Sequence, residues 1–182
     1  ERTAEIDKFL MEPVRRLKIK AAVHGVRYPV SAIHTLARER IEYRGYTPNF
    51  VVPQIFSAYK LTVHIPRKFY ATALAGIPTI RVFEALACGI PLVCAPWEDS
   101  ENLFSPGEDY ATAGDEDEMT EQISRVLCDR DLAAGLSEHG RKTILARHTC
   151  RHRVLELVNI CGSLGMDWKA YNQIAAGAYA NG

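Results

Sequence analysis

Between Gly76 and Cys88 stand six residues whose types and spacing suit one task, the holding of a phosphorylated ligand: Gly76, Pro78, Thr79, Ile80, Arg81 and Glu84. Gly76 and Pro78 shape a tight approach, and Thr79 is placed to cap a helix running to Cys88. The free N–H groups of Thr79, Ile80 and Arg81, with the helix dipole, form an anion site. Arg81 adds a fixed positive charge able to clamp a phosphate through two hydrogen bonds. Glu84 follows one turn later, where a carboxylate can accept from two ribose hydroxyls. On composition alone the plainer account is the better one: an amphipathic helix whose Arg81 and Glu84 face solvent.

Other residues invite weaker readings. Asp115-Glu116-Asp117 has the D-x-D form that binds a metal–diphosphate, but it opens a helix, where acids cap and complement the dipole. Capping is expected there, and no metal site. His148 and His152 are four apart, a spacing that can hold zinc; without a third ligand, a helix-terminal or packing role is expected. His24 ends a strand, where contact with a base or phosphate and a packing role stand about equal. His64 lies within a strand and reads as packed rather than reactive. Trp97 suits either a stacking platform for a sugar or the edge of a core, the second being commoner. Cys88 and Cys94 flank an apolar segment and read as structural.

The elements that position these residues alternate. Ile6, Phe9, Leu10, Val14 and Leu17 share a helical face, with Pro13 opening a second helical piece. Strands are expected at 19–24, 39–44, 60–65 and 90–95, and an edge strand at 109–112. Helices are expected at 31–37, 53–58, 79–88, near 98–104, and at 115–128, 130–147 and 149–162, with Gly89 ending the helix at 79–88. Strands separated by helices imply parallel pairing, hence an α/β fold with a doubly wound parallel sheet flanked by helices. Ligands in such folds bind beyond the carboxyl ends of the strands, here the loops after residues 24, 44, 65 and 95.

Lys and Arg number 22, as do Asp and Glu, so no net charge draws the chain to nucleic acid or to an acidic membrane. No apolar run reaches bilayer length. Five cysteines without a C-x-x-C pair argue against a disulfide scaffold or zinc site and for a cytoplasmic setting. The chain has no initiator Met and reads as an excised segment: a domain over 1–162 and a small-residue tail over 163–182, with room for a helix crossing to a missing N-terminal domain.

The order of residues adds what composition does not. Pro78-Thr79-Ile80-Arg81-Val82-Phe83-Glu84-Ala85-Leu86-Ala87-Cys88-Gly89, followed by IPLV, resembles the donor-site signature of GT-B-fold glycosyltransferases of the glycosyl transferase group 1 type. Within them it is most similar to the spore-maturation, CgeB-like family and its pattern P-[ST]-x-R-x-F-E-A-x-A-C-G. RTAEIDKFLMEPVRRL near the start, GVRYP at 25–29, the Trp97-Glu98 pair, FSPGEDY at 104–110 and HTCRHRVLEL at 148–157 extend the likeness in order over roughly residues 1–160. The resemblance implies a Rossmann-like, C-terminal donor-binding domain that uses a nucleotide-diphosphate sugar as substrate, with no further cofactor and no obligatory metal. Glu84 would hold the ribose, and Thr79, Ile80 and Arg81 the pyrophosphate. Arg2 would approach the phosphates from the opposite side, Gly25, Gly45 and Tyr46 would border the base, and Arg67 would stand at the cleft mouth. Arg67 and Arg81 would neutralise the departing diphosphate.

One departure stands out. Many GT-B enzymes carry a sugar-facing glutamate eight positions before the ribose-binding one, and here that position is Gly76. The resemblance leaves open whether the acceptor is a glycan, a protein or a small molecule. The alternative is a non-catalytic nucleotide-sugar-binding or scaffold module. A flavodoxin-like regulatory domain is a third reading, disfavoured because no phosphoacceptor acidic cluster stands near the strand ends.

Overall fold

All strand pairs among the described residues are parallel, a pairing that requires crossover connections. Helices supply them, as the alternating apolar runs and helical stretches demand. The computed structural model describes residues 3–67, 73, 76 and 79–166. Helix α1 (Thr3–Ile6) passes through a π-helical turn (Asp7–Met11) into α2 (Glu12–Leu17). There follow β1 (Ala21–His24), α3 (Val30–Arg38), β2 (Ile41–Gly45), a 3-10 turn (Asn49–Val51) leading into α4 (Val52–Ser57), and β3 (Thr62–His64). Then come α5 (Ile80–Cys88), β4 (Leu92–Cys94), β5 (Ala111–Thr112), α6 (Glu116–Cys128), α7 (Arg130–Arg147) and α8 (Cys150–Ser163). Hydrogen bonds join the strands in two groups, β1-β2 and β3-β4-β5.

β4 shows why the three-stranded group is firm. All three of its residues are buried. Leu92 and Cys94 face a cluster with Val82, Ala85 and Leu86 of α5, while Val93 faces Met119, Ile123 and Val126 of α6. That is the alternation of a strand covered on both faces. Each buried Leu or Val there contributes about 1.5–3 kcal/mol. Met11, Val14, Leu36 and Ile41 form a third cluster over β1 and β2. Ile19 packs against both the second and the third cluster and so joins the two strand groups.

The α/β reading and the order of elements match the sequence expectations, with local differences. The helix expected near 98–104 does not form. Asp99 Oδ2 accepts from the Phe104 N–H at 2.9 Å, and Asn102 takes a left-handed φ of 50°, so the backbone is turned by a side chain instead of by helical bonds. β2 begins at Ile41 because Arg40 is also left-handed, at φ 59°. Pro13 does open α2: the preceding turn is π-helical, with the Glu12 N–H bonded to Asp7 O.

The chain divides into two compact units, Glu1–Ile144 and Leu145–Gly182. In the second, α8 is opened by Thr149, whose N–H donates to His152 Nδ1 at 3.3 Å and whose Oγ1 lies 2.7 Å from the same nitrogen. His152 therefore serves the helix end, and His148 lies ahead of α8 instead of on it. Val154, Leu155, Leu157 and Ile160 of α8 are exposed.

Candidate functional site

β3, β4 and β5 end together, with His64 beside Cys94 and Cys94 beside Thr112 on the last rung. α5 begins at this edge. Thr79 occupies its N-cap position with an extended backbone, and Gly89 ends it with a left-handed φ of 68°, a conformation glycine adopts without steric cost. The connection to the sheet is a chain of side chains, buried at the strands and half-buried at Thr79: His64 Nδ1 lies 3.0 Å from Cys94 Sγ, and His64 Nε2 lies 2.8 Å from Thr79 Oγ1. Thr79 is thus at the cap position, as expected, but its hydroxyl caps no helical N–H. It bonds to the strand instead.

The structure brings Thr79, Ile80 and Arg81 onto one helix end with Glu84 a turn behind. Arg81 and Glu84 are ion-paired to one another; the Arg81 side chain is 58% exposed and that of Glu84 23%. A ligand can therefore reach the guanidinium, while the carboxylate sits deeper. Gly76 is buried, with φ of 87°. A Cβ there would collide with Ser100 Oγ and Cβ, so the loop after β4 closes directly over Gly76. Arg67 follows β3 and is exposed. Arg2 and Pro78 lie outside the described residues.

A second group forms at the ends of β1 and β2. The Gly25 N–H donates to Gly45 O at 2.8 Å, and the Tyr43 hydroxyl donates to Gly25 O at 2.8 Å. Tyr46 is 73% exposed. His24 Nδ1 lies 2.8 Å from Thr47 Oγ1, and Nε2 is buried without a hydrogen-bond partner. Burial, then the positive charge of Arg44, holds its pKa below the ordinary imidazole value, with Glu42 opposing. Among the described residues no hydrogen bond ties this group to the α5 group.

Beyond β4 and β5 a cleft of about 450 Å³ is lined by Trp97, Asp99, Phe104, Tyr110 and Thr112, among others. Trp97 is half-buried and packs edge-on against Phe104, with centroids 6.5 Å apart, so it borders both core and cleft. The segment Asp115–Asp117 caps: Asp115 Oδ1 accepts from the N–H groups of Asp117 and Glu118 at 3.0 and 2.9 Å, and Asp117 pairs with Arg16. Among the described residues no three His, Cys, Asp or Glu side chains converge as a metal site.

Two contributions carry little sequence signal. His64 is buried, as its place within a strand suggests, and it also links two strands to the start of α5. Its one sequence signal is a polar ring at a strand's carboxyl end. Ser100 had no signal, because its contact with Gly76 bridges 24 positions of chain.

Residues 2–159 match the model of a family described as glycosyl transferase-like. Among solved structures, Anabaena HepE in complex with UDP and glucose is similar at a TM-score of 0.70 and 18% identity, over 85% of this chain and 44% of that one. Sucrose-phosphate synthase from Thermosynechococcus elongatus is similar at 0.66 and 16%, over 90% and 43%. The C-terminal domain of a glycosyl transferase group 1 family protein, LpcC from Francisella tularensis, gives 0.61 and 12%, over 82% and 80%. The chain spans less than half the length of the first two. At such identities these likenesses concern the fold. No curated protein matches this sequence.

Proposed function

Because the chain belongs to the glycosyl transferase-like family, we propose that it holds the nucleoside diphosphate of an activated sugar and presents that sugar for transfer. Its α/β fold is the Rossmann-like half domain of GT-B glycosyltransferases. The observation that carries the reading is the first turn of α5 at the end of β3, with Arg81 accessible and Glu84 one turn behind. The diphosphate takes the N–H groups and Arg81; Glu84 exchanges its ion pair for the ribose hydroxyls. HepE, solved with UDP and with UDP-glucose, lends support by its fold. Arg2, Arg67 and Arg81 neutralise the leaving diphosphate, no metal is obligatory, and Gly25, Gly45 and Tyr46 border the base. The finer assignment is to the CgeB-like group, on the Pro78–Gly89 pattern. The five free cysteines suit the reducing cytoplasm; among the described residues no helix is long and apolar enough to cross a membrane.

Calorimetric titration with UDP, GDP and their sugars is the test. We expect one nucleotide series to bind, and Glu84→Ala and Arg81→Ala each to weaken it by about tenfold or more. Failure of every nucleotide to bind the chain overturns the donor-site assignment. A second reading, a binding module without turnover, draws on Gly76: no side chain fits where related enzymes carry a sugar-facing acid. Sugar transfer by the full-length protein, lost in Arg81→Ala, decides for the enzyme.

A further inference from the structure

Thr79 stands where a capping threonine belongs, and such a residue ordinarily accepts from the second or third N–H of its helix. Here Oγ1 meets His64 Nε2 at 2.8 Å and makes no cap bond. The Val82 N–H is taken by Thr79 O at 3.2 Å. The N–H groups of Ile80 and Arg81 have no acceptor among the described residues, as first-turn amides lack intrahelical partners.

The tautomer of His64 sets the direction of both bonds. Cys94 is fully buried, and burial pushes its thiol pKa far up, so the sulfur keeps its proton. A protonated thiol 3.0 Å from Nδ1 can donate to that nitrogen, and an imidazole that accepts at Nδ1 carries its proton on Nε2. In that tautomer Nε2–H donates to Thr79 Oγ1. The hydroxyl's own proton is left to donate elsewhere.

We propose that His64 is a positioning residue for the donor diphosphate: by donating to Thr79 Oγ1 it keeps that hydroxyl from capping α5 and turns its proton toward the anion. The helix end then offers three donors, the hydroxyl of Thr79 and the amides of Ile80 and Arg81, with the Arg81 side chain beside them. A capped helix would offer fewer, because the cap consumes amides the phosphate needs. The placement also fixes where the anion sits, since Thr79 is tethered to the last residues of β3 and β4. This inference rests on the reading of α5 as a diphosphate site.

The test compares nucleoside and nucleoside diphosphate, using uridine with UDP and guanosine with GDP, because a general structural defect would affect both members of a pair. In the wild-type chain one diphosphate should bind well above its nucleoside. Thr79→Val and His64→Leu should each lose about tenfold or more in diphosphate affinity and keep nucleoside affinity within about twofold. Thr79→Ser and His64→Gln, which retain a hydroxyl and a donor, should recover most of the loss. Wild-type diphosphate affinity in folded Thr79→Val overturns the proposal, as does an equal loss for nucleoside and diphosphate. If no nucleotide binds the wild-type chain, the donor-site reading itself falls, an outcome distinct from the other two. Should His64→Leu not fold, nitrogen NMR of histidine-labelled wild-type chain reports the tautomer directly: a proton on Nε2 is expected, and a proton on Nδ1 overturns the assignment.

Discussion

Gly76 is glycine for two reasons that act together. Its φ of 87° is left-handed, which a side chain adopts only under strain, and the space a Cβ would fill is held by Ser100. Gly76→Ala should therefore destabilise the protein by about 1–3 kcal/mol in chemical denaturation. Adding Ser100→Gly should recover only part, since it relieves the collision and leaves the backbone strain. His24 makes a pH-dependent contribution. With its pKa held below 6.5 by burial and Arg44, the folded and unfolded chains are alike well above that value. As pH falls through 6.5 the unfolded chain takes up the proton first, so stability declines. Thermal melts from about pH 7.5 to about pH 5.5 should show the decline, and His24→Asn should flatten it relative to wild type. Equal slopes in the two proteins would refute the assignment.

Among elements, α5 decides the site, and its position depends on α7 as much as on the sheet. A Cβ on Gly140 of α7 would come within 2.7 Å of Leu86 Cδ2 and 2.9 Å of Asp109 O, so the two helices approach through this glycine. Ser137 of the same helix donates to Gly89 O at the carboxyl end of α5. Asp109, fully buried, accepts from the Ser105 N–H, from Thr143 Oγ1 and from His139 Nδ1, each at 2.7 Å, which fastens the turn before β5 to α7. Gly140→Ala should thus cost about 1–3 kcal/mol. Because it displaces Leu86, on the helix that carries the proposed diphosphate site, it should also weaken nucleotide binding measurably. Full stability in Gly140→Ala would show that α7 can withdraw without disturbing α5.

At the scale of the molecule, the chain covers 44% of HepE and 43% of sucrose-phosphate synthase. Sugar transfer in this reading needs an acceptor-binding wall facing the donor site, and the catalysis rests on positioning and charge neutralisation between the two walls. We expect residues 1–182 to bind nucleotide and to transfer no sugar from UDP- or GDP-sugars in a radiolabel assay. Rapid turnover by this chain alone would sink that expectation.

Local outcomes were legible in short stretches of sequence. Alternating apolar runs and helical periods set every strand and nearly every helix, Gly89 ended α5, Asp115 capped α6, and the string from Pro78 to Gly89 pointed to the family that the match over residues 2–159 shows. These follow from propensity and periodicity, which act over a few residues. The tertiary structure set what crosses long stretches of chain: Ser100 over Gly76, Gly140 against Leu86, and the Thr79 hydroxyl bonded to His64 instead of to its own helix. It also undid the helix expected near 98–104, where the Asp99 carboxylate outcompeted the helical bonds. Such contacts depend on which strands end side by side, and that is settled by burial of two sheet faces at once, a condition no local stretch of sequence can express.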